Sequence, residues 1–275
     1  MRELAAAAIA QEVAALCQRV NYRLPEDVRQ ALAAAREREE SPLGRRVLEE
    51  LLANARIAEE EGVPLCQDTG LATFFVELGC RVRITGGSLE EAIAEGVRRG
   101  YREGYLRPSV VADPLERRNT GDNTPPVLHL ELVEGERLRL RFLPKGGGSE
   151  NAARLFMLPP AAGREGIVRS AVEAVELAGP NACPPVVVGV GLGGTAEQAL
   201  LLAKKALLRS LSEPADPLEE EILAAVNRLG IGPQGFGGRV TALAVRVLRA
   251  PTHLACLPVG VSLSCHALRR GEVVL

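Results

Sequence analysis

Residues Val186-Val187-Val188-Gly189-Val190 form a continuous apolar run that leads into Gly191-Leu192-Gly193-Gly194 and then a helical pattern from Thr195 to Leu211. Such a run reads as a buried strand, which commits the chain to an architecture with helices to cover it. The glycines from Gly189 to Gly194 match G-x-G-x-x-G between a strand and a helix, the spacing of a dinucleotide loop. A dinucleotide fold also needs a second parallel strand after the helix, with an acidic residue about 20 positions on to hold the ribose. Here the turn-rich stretch from Ser212 to Pro217 is followed by another helix, Pro217 to Leu229. The glycines are therefore read as allowing close strand-to-helix packing near the Cys183 loop, with a nucleotide site as the competing reading.

Elsewhere the same alternation of helical and strand periods recurs. Ile9, Val13, Leu16, Cys17 and Val20 mark one face of an amphipathic helix. Pro25 opens a second helix, and Ser41-Pro42 caps a third that closes at Gly62. Phe74, Val76 and Leu78 alternate with Thr73, Phe75 and Glu77 as a strand, with Cys80 read as packing at its end. Ser88-Leu89-Glu90-Glu91 has the form of a capping box, which places a helix up to about Glu103. Val127 to Val133 and Arg137 to Leu143 are expected to form a hairpin around Glu134-Gly135-Glu136, with Arg137, Arg139 and Arg141 on a face that is wet or meets a partner. A helix is placed over Arg164 to Ala178 and a strand over Val240 to Leu248. The fold class expected is α/β in the mixed α+β sense: a mixed sheet flanked by helices in a single large domain, residues 1–275. The chain stops on Val273-Val274-Leu275, an apolar terminus expected to pair or pack, in one reading against another polypeptide.

At 275 residues and 47% hydrophobic the chain can bury a large core. Its net charge of -2, 3% aromatics and lack of Trp argue against a nucleic-acid groove, which wants excess positive charge and stacking rings. No apolar run is long enough to span a bilayer, and Glu3 and Glu12 interrupt the Ala-rich start, so neither a membrane segment nor a signal peptide is expected. Six Cys without a C-x-x-C pair point to a reducing cytoplasm, where thiols are buried, catalytic or metal-bound.

Three loops carry the candidate chemistry. Cys66-Gln67-Asp68-Thr69 sets a thiol, an amide, a carboxylate and a hydroxyl side by side between a helix and a strand, enough for one soft metal ligand and one proton-transfer group. A plain turn with Asp68 capping its own backbone fits the same residues. Lys145-Gly146-Gly147-Gly148 lets the backbone come close to an anion and aim several N–H groups at it, although no G-K-[ST] closes the pattern; a flexible turn is the alternative. Gly179-Pro180-Asn181-Ala182-Cys183-Pro184-Pro185 fixes the backbone around one thiol. Between these loops, Tyr105 to Pro126 has neither period and is dense in Asn, Asp, Thr and Gly, as in a functional stretch or a solvated Ω-loop. His129 reads as a strand residue and His253 as a core residue or a site residue.

Taken together, Pro64-Leu65-Cys66-Gln67-Asp68-Thr69-Gly70, Leu106-Arg107-Pro108, Asn119-Thr120-Gly121-Asp122-Asn123-Thr124-Pro125, Lys145 to Glu150, Gly179 to Pro185 and the Cys265 tail resemble, in order and over nearly the whole chain, the α subunit or N-terminal half of the iron–sulfur hydro-lyases comprising class I fumarases and L-tartrate dehydratases. The resemblance implies a [4Fe-4S] cluster held by Cys66, Cys183 and Cys265, with one iron left open as a Lewis acid. It also implies reversible addition of water to a dicarboxylate, with fumarate to L-malate preferred over dehydration of tartrate. Asp68 matches the proton-exchanging residue, His253 a catalytic polar residue near the open iron, and Gln67, Arg107 and Gly147 the substrate contacts. In fused relatives a second domain supplies further groups, so a separate β subunit and a hetero-oligomer are expected.

Overall fold

The computed structural model describes residues 1–275 and divides into two compact units: Met1–Pro25, Ala55–Gly147 and Arg269–Leu275 in the first, Glu26–Asn54 and Gly148–Leu268 in the second. In chain order the elements are β1 (Arg2–Ala5), α1 (Ala6–Tyr22), α2 (Glu26–Arg38), α3 (Pro42–Glu61), β2 (Leu71–Gly79), β3 (Val82–Thr85), α4 (Leu89–Glu103), β4 (Val127–Val133) and β5 (Leu138–Lys145). There follow α5 (Gly147–Asn151), β6 (Arg154–Leu158), α6 (Gly163–Ala178), β7 (Val186–Gly194), α7 (Ala196–Ala206), α8 (Pro217–Asn227), β8 (Ala242–Thr252), β9 (Leu257–Ser264) and β10 (Gly271–Val274). The α/β class is as the sequence implies, realised as two mixed four-stranded sheets and a two-stranded parallel pair, β1 with β3, rather than one sheet.

In the first unit the sheet order is β10-β5-β2-β4, with β2 antiparallel to β5 and parallel to β4. The expected β4–β5 hairpin does not form, because β2 lies between the two strands. The turn after β4 crosses the end of β2, and Gly79, Cys80 and Arg81 donate N–H groups to the carbonyls of Arg137, Val133 and Gly135. The choice follows from side-chain matching. Phe74, Val76 and Leu78 of β2 stand in register with Phe142, Leu140 and Leu138 of β5, and the Phe74 and Phe142 rings stack at 4.8 Å. On the other face Arg141 and Arg139 reach Glu77, so opposite charges meet across strands on the arginine-bearing side of the sheet. Ile9, Val13, Leu16, Cys17 and Val20 of α1 close the core with Ile93, Val97 and Tyr101 of α4, and the Ser88 hydroxyl accepts from Glu91 N at the start of α4. The apolar terminus is taken up by the chain's own sheet: β10 pairs with β5, and Leu275 and Leu138 exchange N–H bonds at 2.8 and 3.0 Å. Cys80, expected to pack, is exposed.

The second unit is organised on β7, which pairs with β8 in parallel and with β9 antiparallel in the order β6-β9-β7-β8. A Cβ on Gly189 would lie 2.1 Å from Ala203 O, and one on Gly191 2.0 Å from Ala199 O, so α7 rests directly on the strand backbone. The glycines thus serve helix packing, as the sequence reading expects. Gly191→Ala is accordingly expected to lower stability by about 1–3 kcal/mol through overpacking, read as a fall in Tm. An unchanged Tm would mean that α7 can move away at no cost.

Candidate active site

In the first unit, Leu65 is buried and its N–H donates to Asn21 O at 2.9 Å, which fixes the entry to the Cys66 loop. Cys66 is half-buried, with its Sγ 3.5 Å from Gln67 Oε1. Asp68 caps its own turn, Oδ1 accepting from Gly70 N at 3.0 Å, and in addition Oδ2 accepts from Gly147 N at 2.8 Å. Turn and site are therefore not alternatives: one carboxylate closes the turn and joins it to the glycine-rich loop. That loop is the start of α5, and Lys145 before it is buried. A Cβ on Gly146 would stand 3.1 Å from Asp68 Oδ2, so the side chain's absence opens the approach to the carboxylate.

Buried polar side chains from several elements hold this loop. Tyr101 is buried in α4, and its hydroxyl lies 2.9 Å from Thr69 O and 3.1 Å from Gly70 O. Burial pushes its phenol well above the ordinary value, which keeps the donor proton in place. Asn123 donates to Gly70 O at 3.2 Å and accepts from Ser109 N at 2.6 Å, and Thr69 donates to Arg107 O at 3.0 Å. The Asp68 and Arg107 loops are thereby tied together, while the Arg107 side chain remains exposed. Arg269, buried, spans Asn21 Oδ1 and Asp68 O, both at 2.8 Å. The turns read into 105–126 are present: Asp113 accepts from Leu115 and Glu116, Asn119 from Gly121, and Asp122 from Thr124.

In the second unit, Cys183 follows a short turn, Gly179–Ala182, in a left-handed conformation (φ 52°, ψ 66°) and is exposed. Cys265 follows β9 and is half-buried; the next residue, His266, donates its N–H to Cys183 O at 3.3 Å. Two of the three predicted ligand positions are thus joined through their backbones. His253 is exposed at the end of β8, not a core residue, and its Nδ1 accepts from Ala255 N at 3.2 Å. That bond places the proton of the neutral ring on Nε2. The buried Glu39 accepts from Glu40, Ser41, Arg239 and Val240 N–H groups at 2.8–2.9 Å. Burial raises its carboxyl, but the four donors outweigh it and hold the group below its ordinary value.

Cys66 belongs to the first unit, Cys183 and Cys265 to the second, and no group of three or more His, Cys, Asp or Glu side chains forms a ready-made ion site. Each of the three is a thiol outside a disulfide and exposed or half-buried, the residue type that an iron–sulfur cluster takes as ligand.

Residues 10–274 match the family model described as fumarate hydratase (Fumerase). The chain is 43% identical over 258 residues to a putative L(+)-tartrate dehydratase subunit alpha of Methanocaldococcus jannaschii, covering 90% of each. It is 33% identical over 265 residues to the L(+)-tartrate dehydratase subunit alpha of Escherichia coli O157:H7, covering 93% of this chain and 87% of that one. A match over almost the full length, together with a carboxylate, an exposed arginine and a glycine-rich loop gathered on one unit, has one conclusion: the chain belongs to the fumarate hydratase family of hydro-lyases.

Proposed function

We propose that the chain is the α subunit of a [4Fe-4S] hydro-lyase acting on a four-carbon dicarboxylate, and that Cys66, Cys183 and Cys265 hold the cluster. The observation that carries the reading is the Asp68 carboxylate, fixed by Gly70 N–H and Gly147 N–H in a loop tied to Arg107. When bound, the cluster supplies a Lewis acid for the hydroxyl that leaves or enters.

The chain's own residues do the rest. Arg107 offers a planar fork to one substrate carboxylate, and the Gln67 amide donates to the same end. Each Asp68 oxygen spends one lone pair on a backbone N–H and keeps another to take or return the proton of the substrate hydroxyl. Gly147 N–H is shared with the incoming carboxylate, so substrate binding loosens Asp68 on the side where the proton moves. His253 presents its Nε2–H as a donor.

Fumarate, converted to L-malate, is the substrate read from the sequence and agrees with the description of the family model. The relatives' names favour a second reading, L(+)-tartrate. A separate β subunit and a hetero-oligomer are supported by the same names and by exposed apolar side chains on the site loops: Tyr105, two residues before Arg107, is 91% exposed, and Leu254, next to His253, is 89% exposed. No helix is long and apolar enough to cross a membrane, and six Cys outside disulfides suit a reducing cytoplasm.

The test is anaerobic purification of the chain alone and with its co-expressed β subunit, followed by assay on both substrates. The complex is expected to turn over one of them, with the chain alone near background. Full turnover by the chain alone would remove the partner, and inactivity of the cluster-loaded complex on both substrates would sink the reading.

A further inference from the structure

Two residues of the second unit, neither of them glycine, sit in the left-handed region. Cys183 has φ +52° and Gln234 φ +51°. A residue with a side chain adopts this conformation only where its surroundings compensate the strain, and here Gln234 is hydrogen-bonded to Pro184, the residue that follows Cys183. Gln234 donates to Pro184 O twice, from its backbone N–H at 2.7 Å and from its amide Nε2 at 2.9 Å. The same Nε2 lies 3.1 Å from His266 Nδ1, and His266 N–H donates to Cys183 O at 3.3 Å.

Two contacts fall on His266 Nδ1, Gln234 Nε2 at 3.1 Å and Cys183 O at 3.1 Å, so this ring nitrogen lies between the Gln234 loop and the Cys183 turn.

The loop that carries Gln234 is itself anchored. Gly235 stands so close to the Cys183 turn that a Cβ on it would meet Pro180 Cβ at 2.4 Å. Beyond it, Arg239 N–H and Val240 N–H donate to the Glu39 carboxylate at 2.9 and 2.8 Å.

We infer that Gln234 is a positioning residue: its side-chain amide locks the turn bearing Cys183 to the strand end bearing Cys265, so that two thiols remote in sequence are held in one fixed relation. The inference rests on the proposal that both are cluster ligands, and it concerns the retention of iron rather than the chemistry on substrate.

Gln234→Ala and Gln234→Gly are compared with the unaltered full chain after anaerobic reconstitution. The glycine variant accepts the positive φ without strain but has no amide, so it separates the two contributions. Both variants are expected to lose iron to a chelator about tenfold faster, the size seen when a group supporting a metal ligand is removed, with Tm unchanged. Amide exchange in the metal-free chain is the second measurement, and the His266 N–H is expected to exchange faster in both variants. Iron retained as long as in the unaltered chain would overturn the proposal, as would a glycine variant that holds iron while the alanine variant does not. If the unaltered chain takes up no cluster, the ligand assignment fails on its own. The exchange rate at His266 then decides the brace: faster exchange supports it and an unchanged rate overturns it.

Discussion

Asp68→Asn is expected to lower kcat of the cluster-loaded complex by about a thousandfold, within the range for loss of a positioned proton-transfer group, while iron and sulfide per chain stay as in the unaltered protein. The structure adds a reason beyond the missing acid–base pair. The carboxylate accepts one N–H on each oxygen, from Gly70 and from Gly147. An amide has a single acceptor, so its NH2 must face one of those two N–H groups. The Gly70 bond closes the turn locally, two residues away, whereas the Gly147 bond spans 79 positions, so the amide is expected to keep the former and release the latter. Substrate affinity should therefore weaken together with turnover, because Gly147 N–H is a proposed substrate contact. An unchanged kcat would remove Asp68 from the proton-transfer role. A raised KM with unchanged kcat would reassign the carboxylate to holding the glycine loop.

How much of this was legible in the sequence depends on the range of the interaction that decides each feature. The helices were readable because α1, α4 and α6 each carry an apolar stripe of their own, and Ser88 stands three residues before the N–H it caps. The buried strand β7 was readable for the same reason, and even the purpose of Gly189 and Gly191 followed from a strand meeting a helix. The hairpin was misread because a three-residue link between two strands ordinarily makes one. What overrode it was long-range matching of Phe142 to Phe74 and of Arg139 and Arg141 to Glu77, which no local pattern contains.

The site divides in the same way. Cys66, Asp68 and Arg107 lie in motifs that name themselves, and the structure brings the Asp68 and Arg107 loops together through Thr69. What the motifs leave out is which residue meets which: Asn123 meets Gly70 across 53 positions, and Arg269 reaches Asp68 across 201. Both polar side chains are buried, Asn123 and Arg269 being 0% and 3% exposed, and burial is not visible before the fold is.

The six cysteines give the sharpest division between ligands and bystanders. Cys66→Ser, Cys183→Ser and Cys265→Ser are each expected to lose most of the iron and sulfide, because a hydroxyl is a poor substitute for thiolate at a soft iron site. Cys80→Ser and Cys256→Ser should keep both, the first lying exposed at a turn after β2 and the second, half-buried, joining β8 to β9. Cys17→Ser separates folding from ligation. Cys17 is fully buried in the α1 core, and burial pushes its thiol far above the ordinary range, so it acts as an apolar group. A hydroxyl there has to find a partner or cost about 1–3 kcal/mol, and the variant is expected to melt earlier while retaining its iron. The measurement is iron, sulfide and Tm on all six variants. Full iron in any one of the first three would dismiss that thiol as a ligand. Loss of iron in Cys256→Ser would move the assignment toward the turn that carries His253, since Cys256 N–H donates to His253 O at 2.9 Å.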